Sequence, residues 1–134
     1  MRSPILASLG LAVVLTACAT GVHAIGDAAR LIIAADLAEG SGAAMRLAGA
    51  VLAACWAQER HIADEKVLAE LLHEQSLPAA LLDKAHSQAV QERYDAYTKA
   101  AIDAGVFGAP SYVIEGEIFW GQDRLDFVER ALAR

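Results

Sequence analysis

Gly105-Val106-Phe107-Gly108-Ala109-Pro110-Ser111-Tyr112 runs directly into Val113-Ile114-Glu115-Gly116-Glu117-Ile118-Phe119-Trp120-Gly121-Gln122-Asp123-Arg124. Two short apolar runs, 111–114 and 117–120, are separated by Glu115-Gly116, where glycine supplies the positive φ that a tight turn demands. The pattern predicts a β-hairpin. Pro110 stands at the mouth of the first strand, where no ladder donor is lost. A proline that follows glycines and an aromatic is also a site for a cis bond, the form taken by about one X-Pro bond in twenty in folded proteins. Behind the second strand, Gly121 and a polar turn lead into a helix predicted over 123–133, with Leu125, Val128 and Leu132 at helical spacing.

Working back from the hairpin, the chain reads as helices. Asp27 is a good N-cap for a helix over 28–38, with Leu31, Ala34, Ala35 and Ala38 as its apolar stripe and Arg30 and Asp36 facing out. Gly40-Ser41-Gly42 ends it. A second helix is predicted over 43–59, with Met45, Ala48, Leu52 and Cys55/Trp56 inward, and Asp64 caps a third over 65–75 with Val67, Leu68, Leu71 and Leu72 inward. Ser76 and Pro78 open a fourth, broken near His86-Ser87 and continuing to Ala104, where Gly105 suits the left-handed position after a helix. The fold class is therefore α+β and mostly helical: a helical subdomain over 27–104, then a β-hairpin and helix (ββα) over 105–134, with 1–26 set apart. Two strands alone make a marginal sheet unless further strands or a helix cover them.

With 134 residues and 56% hydrophobic content, the chain has enough material for one domain with a modest core and is too apolar for disorder. Its formal charge of -6, without any cluster of Lys and Arg, argues against nucleic acid as a partner. The segment 1–26 opens on Met1-Arg2-Ser3-Pro4, continues through an apolar run over 5–17 and reaches Leu15-Thr16-Ala17-Cys18, which has the small-residue pattern of a lipoprotein cleavage site. That run is shorter than the roughly 20 residues a membrane span needs. Two readings stand side by side. In one, Cys18 is lipidated and the protein is periplasmic or anchored to the membrane as a non-catalytic envelope lipoprotein; in the other, 1–26 is a spurious start on a cytoplasmic chain.

Few residues carry obvious chemistry. Cys18 and Cys55 form no C-x-x-C pair, which opposes disulfide exchange, and Cys55 and Trp56 read as helix packing. His61, His73 and His86 follow no metal-ligand spacing; His73 and His86 read as solvated helix residues, and no metal is expected. Asp123 suits a helix N-terminus as a cap or first-turn residue, whereas the cation of Arg124 opposes the helix dipole there. Arg124 is accounted for either by a surface pair with Asp126 or Glu129, or by a small zwitterion whose carboxylate meets Arg124 while its ammonium meets Asp123.

The run G-V-F-G-A-P-S-Y, taken with F-W-G-Q-D-R-L-D, resembles the C-terminal end of 2-hydroxychromene-2-carboxylate isomerases, a branch of the DsbA-like thioredoxin-fold proteins close to kappa-class glutathione transferases. The resemblance extends more weakly back to about Asp27, through Trp56 and Ile62-Ala63-Asp64. It implies glutathione as cofactor and a small aromatic substrate whose ring opens and recloses through transient attack of the glutathione thiolate. It places Asp123 and Arg124 at the γ-glutamyl end of glutathione and the backbone of Ala109 beside its cysteinyl part, with Pro110 holding the loop. It leaves room for a homodimer. The family's fold starts with a β-α-β unit, and its catalytic serine stands at the first helix of that unit. Neither has a counterpart here: Ser3 and Ser8 lie in the signal-like segment, no catalytic residue is assigned, and the chain is expected to be an incomplete C-terminal fragment with little or no activity.

Overall fold

The run Ala28-Ala29-Arg30-Leu31-Ile32-Ile33-Ala34-Ala35 is apolar on every side of a helix except at Arg30, and a helix of that kind is stable only when covered all round. In the structure, a computed structural model that describes residues 22–108 and 110–134, this run is the middle of α1 (Val22–Glu39). Ala28, Ala29 and all five residues from Leu31 to Ala35 are buried. The sequence expectation differs here in three ways. The helix begins before Asp27, so that residue is no cap and instead lies 3.7 Å from Arg30 one turn on. Arg30 and Asp36 are half-buried rather than outward, and Ala38 is exposed. Arg30 tolerates its position because its Nε donates to Gln91 Oε1 at 2.9 Å and its guanidinium lies 4.8 Å from the Tyr94 ring centre.

α2 (Ser41–Trp56) packs along α1, and α3 (Glu65–Glu74) packs on α2. The inner face of α2 is Ala43, Ala44, Leu47, Ala48, Val51 and Ala54. Of the positions expected inward, Ala48 is buried, Leu52 and Cys55 are half-buried, and Met45 and Trp56 are 60% and 66% exposed. The reason is low contrast: most positions of this helix are small or aliphatic, so hydrophobicity alone does not fix which side turns in. α3 has more contrast and matches expectation, with Leu68, Leu71 and Leu72 buried, Val67 half-buried, and the Asp64 carboxylate accepting from the Lys66 N–H at 2.9 Å as N-cap.

α4 (Leu81–Ala85) and α5 (Gln88–Asp103) are separated at His86-Ser87, where the break was expected, although α4 begins three residues beyond Pro78. α4 contacts α1. α5 ends in a Schellman arrangement: Gly105 has φ 78°, its N–H reaches the Ile102 carbonyl at 2.9 Å, and the Val106 N–H reaches Ala101 at 3.0 Å. Among the described residues, none of the helices is long and apolar enough to cross a membrane. Cys18 and the rest of the signal-like segment up to residue 21 lie outside the described residues.

Residues 22–94 form one compact unit and residues 95–134 another, the division falling inside α5. In the second unit, β1 (Ser111–Ile114) and β2 (Glu117–Trp120) pair antiparallel in the register Ser111↔Trp120, Tyr112↔Phe119, Val113↔Ile118 and Ile114↔Glu117. Glu115 and Gly116 both take positive φ, 52° and 85°, as a two-residue hairpin turn of the primed type requires. A single 3₁₀ turn, Gln122–Arg124, then precedes α6 (Leu125–Leu132), which packs on β1. The expected inward set of α6 is corrected: Leu125 and Leu132 are 52% and 66% exposed, Val128 is half-buried and Ala131 is buried. The covered face therefore runs through 128 and 131, where a small side chain permits close approach to the strand.

Candidate binding site at the prolyl end of the hairpin

The open end of the hairpin is built by two glycines, one serine and the strand register. Gly108 lies close against the Trp120 indole: a Cβ there would stand 2.7 Å from Nε1, so a larger residue would require the indole to move. The Ser111 hydroxyl, on a side of the strand where only 1% of the residue is exposed, donates to the Gly108 carbonyl and closes the loop onto the strand. One step beyond the Ser111↔Trp120 pair, the Gly121 N–H donates to the Pro110 carbonyl at 2.9 Å. The ladder thus reaches the proline itself, and the residues following β2 are fixed beside it.

Gly121 then turns the chain with φ 112°, and a Cβ on it would collide with Asp123 Oδ1. The carboxylate of Asp123 consequently lies against the Gly121 backbone, two residues from the hydrogen bond to Pro110. Arg124 Nε stands 3.8 Å from Asp123 Oδ2, and its guanidinium lies 5.7 Å from the Phe127 ring centre, with Arg130 at 5.6 Å from the same ring. One expectation is met in one of its two forms and one is corrected here. Asp123 is a first-turn residue, in the 3₁₀ turn that runs into α6, and not a cap; the N-cap of α6 is Arg124, with no side-chain capping bond. Arg124 pairs with Asp123 rather than with Asp126 or Glu129, because the turn brings adjacent side chains together. At 52% and 74% exposure this pair contributes under about 1 kcal/mol to stability.

Of the four residues expected at the site, Pro110, Asp123 and Arg124 are gathered at one end of the hairpin, and Ala109 lies outside the described residues. Two further residues at that end were quoted in the motif but given no role. Phe107 and Trp120 are 71% and 53% exposed, and their rings face each other at 5.3 Å between centres, tilted by 57°. The available signal was a glycine placed between an aromatic and a proline, with a tryptophan at the strand position opposite.

The other candidate chemistry lies elsewhere. His73 and His86 are exposed, as expected, and so is His61, whose Nδ1 accepts from the Ala63 N–H at 3.3 Å. Cys55 is a free thiol. Among the described residues no three His, Cys, Asp or Glu side chains gather to hold a metal ion. Arg60 donates to Glu70 at 2.7 Å and Glu74 at 3.1 Å, and the Glu70 hydrogen bond, followed by Glu74, pushes its guanidinium pKa further up. This network ties the turn after α2 to α3 and faces solvent.

Comparison with known proteins places these features among relatives. The model of the DSBA-like thioredoxin domain family matches residues 7–133. The chain is similar to 2-hydroxychromene-2-carboxylate isomerase of Pseudomonas putida, 48% identical over 48 residues, or 36% of this chain and 24% of that protein. It is also similar to the proteins of the same name from Pseudomonas sp. (strain C18), 44% identical over 54 residues (40% and 26%), and from Sphingobium xenophagum, 45% identical over 53 residues (40% and 27%). The chain spans about a quarter of the length of these curated relatives.

Proposed function

The chain belongs to the DSBA-like thioredoxin domain family, and from that premise we propose that Pro110 and residues 120–124 form one wall of a glutathione site in an isomerase of the 2-hydroxychromene-2-carboxylate type. The relatives' names support the reaction class. The observation that carries the binding assignment is the hydrogen bond from Gly121 to Pro110, which holds the prolyl loop and the Asp123-Arg124 pair at the same end of the hairpin.

The donor set fits the γ-glutamyl end of such a peptide. Asp123 is free of any capping duty and offers a carboxylate to an ammonium; Arg124 offers a planar guanidinium to a carboxylate. The strand β1, which starts directly after Pro110, offers extended backbone to a peptide that lies alongside it. Bound glutathione would supply a thiolate nucleophile. This wall holds and orients the peptide end of the ligand. The reading joins glutathione binding with a small aromatic substrate and a cytoplasmic protein.

Isothermal calorimetry with reduced glutathione tests it. Binding by the 134-residue chain is expected to weaken about tenfold in Asp123→Ala and in Arg124→Ala, each removing a hydrogen bond to a charged group. Heats that are unchanged in both variants would overturn the assignment.

A further inference from the structure

Arg124 stands at the N-cap of α6, where it makes no capping bond and its cation opposes the helix dipole. Its ion pair with Asp123 is long at 3.8 Å, and 52% of the arginine side chain is open to solvent. A long side chain held so loosely has many rotamers to lose when a ligand fixes it. Phe127, three residues on, supplies a second hold. The Arg124 guanidinium lies over this ring, 5.7 Å from its centre and within cation–π range. Arg130, three residues further, lies over the same ring at 5.6 Å. The sequence therefore sets cation, aromatic and cation at a spacing of three, which brings the side chains together on one face of the helix. Exposure is not what marks Phe127, since Leu125 and Leu132 of the same helix are more open to solvent; they have no π face to offer a cation.

Three carboxylates compete for Arg124 along this stretch: Asp123 before it, and Asp126 and Glu129 after it on α6. The guanidinium is found with Asp123 on one side and the Phe127 ring on another. From this arrangement we infer that Phe127 is a positioning residue: its ring keeps the Arg124 guanidinium beside Asp123 and away from the carboxylates of the helix, preset for the carboxylate of a ligand. Phe127 does not touch the ligand and acts only through Arg124. The inference rests on the glutathione-site reading and deepens it by naming what sets the cation of that site. At 47% exposure Phe127 is no part of the core, and α6 meets β1 through Val128 and Ala131, so the ring can be replaced without emptying the interior.

Two measurements on the full chain test this, one without ligand. In the ¹⁵N-labelled protein the Arg124 Nε–H signal is expected to be displaced by the ring current in the parent and in Phe127→Tyr. In Phe127→Leu, which keeps an apolar side chain but removes the π face, it should return to the region of Arg46, an exposed arginine on α2. Calorimetry with reduced glutathione should then give a Kd about threefold weaker in Phe127→Leu, the size of one exposed cation–π contact, and a Kd restored in Phe127→Tyr. Made in an Arg124→Ala background, Phe127→Leu should change nothing further, because the ring has no guanidinium left to hold. An Arg124 signal that stays in place in Phe127→Leu, an unchanged glutathione Kd in that variant, or an equal loss with and without Arg124 overturns the positioning role even where glutathione binds. A ring-dependent Arg124 signal in a chain that gives no glutathione heat supports the hold on the guanidinium and overturns the glutathione wall instead.

Discussion

Helices α1 and α6 treat apolar side chains in opposite ways. α1 buries every residue from Leu31 to Ala35, whereas α6 leaves Leu125, Phe127 and Leu132 between 47% and 66% exposed and buries only Ala131. The same contrast separates the two units. Residues 22–94 hold their own core of Leu31, Ile32, Leu47, Val51, Leu71, Leu72, Leu81 and Val90, while in residues 95–134 Phe107 and Trp120 join the exposed set. One region is held by burial. The other buries far less, chiefly Tyr97, Phe119 and Ala131, relies also on a ladder, a loop hydrogen bond and two glycines, and displays aromatic and charged groups at the end where the candidate site lies.

The strongest way to break this comparison is to empty the first core. Leu31→Ala is expected to cost about 2–5 kcal/mol, the range for a large side chain removed from a closed interior. Denaturant unfolding would measure it, and a cost below 1 kcal/mol would mean that α1 is not held by burial.

Next in size is Gly121→Ala, which forces a side chain into φ 112° and against the Asp123 carboxylate. A loss of about 1–3 kcal/mol is expected from the strain alone. Calorimetry on the same variant should show weaker glutathione binding, because the turn that presents Asp123 is displaced.

Asp64→Ala removes the cap of α3 and should cost about 1 kcal/mol. Thermal unfolding followed by circular dichroism would register it as a lower Tm. Smallest is Leu132→Ala on the exposed side of α6, expected within about 0.5 kcal/mol of the parent. If Leu132→Ala proved as damaging as Leu31→Ala, the two regions would not differ in the way described.

How far these features were legible in the sequence depended on local contrast. The hairpin, its turn, the Asp64 cap, the break at His86-Ser87 and the glycine ending α5 each follow from one residue type with a strong local preference, and the structure has them at the expected places. The inner face of α2 was not legible, because Met45 and Leu52 compete with Leu47 and Val51 in a helix where apolar residues occur on all sides. The inner face of α6 was misjudged for a related reason: Leu125, Val128 and Leu132 have helical spacing, but contact with β1 selects the face containing the small Ala131. At the site, Pro110, Asp123 and Arg124 could be named from the motif. The Gly121–Pro110 bond that joins them is a backbone contact between residues eleven apart, fixed by register rather than by residue type. The Phe107–Trp120 pair likewise depends on that register.

The most direct test is an NMR map of the ¹⁵N-labelled chain titrated with reduced glutathione. Shifts confined to Phe107, Gly108, Ser111 and 120–124, with residues 22–94 unmoved, are the predicted result. Shifts centred on α2 and α3, or none at saturating ligand, would contradict the claim that the prolyl end of the hairpin is the glutathione-binding wall.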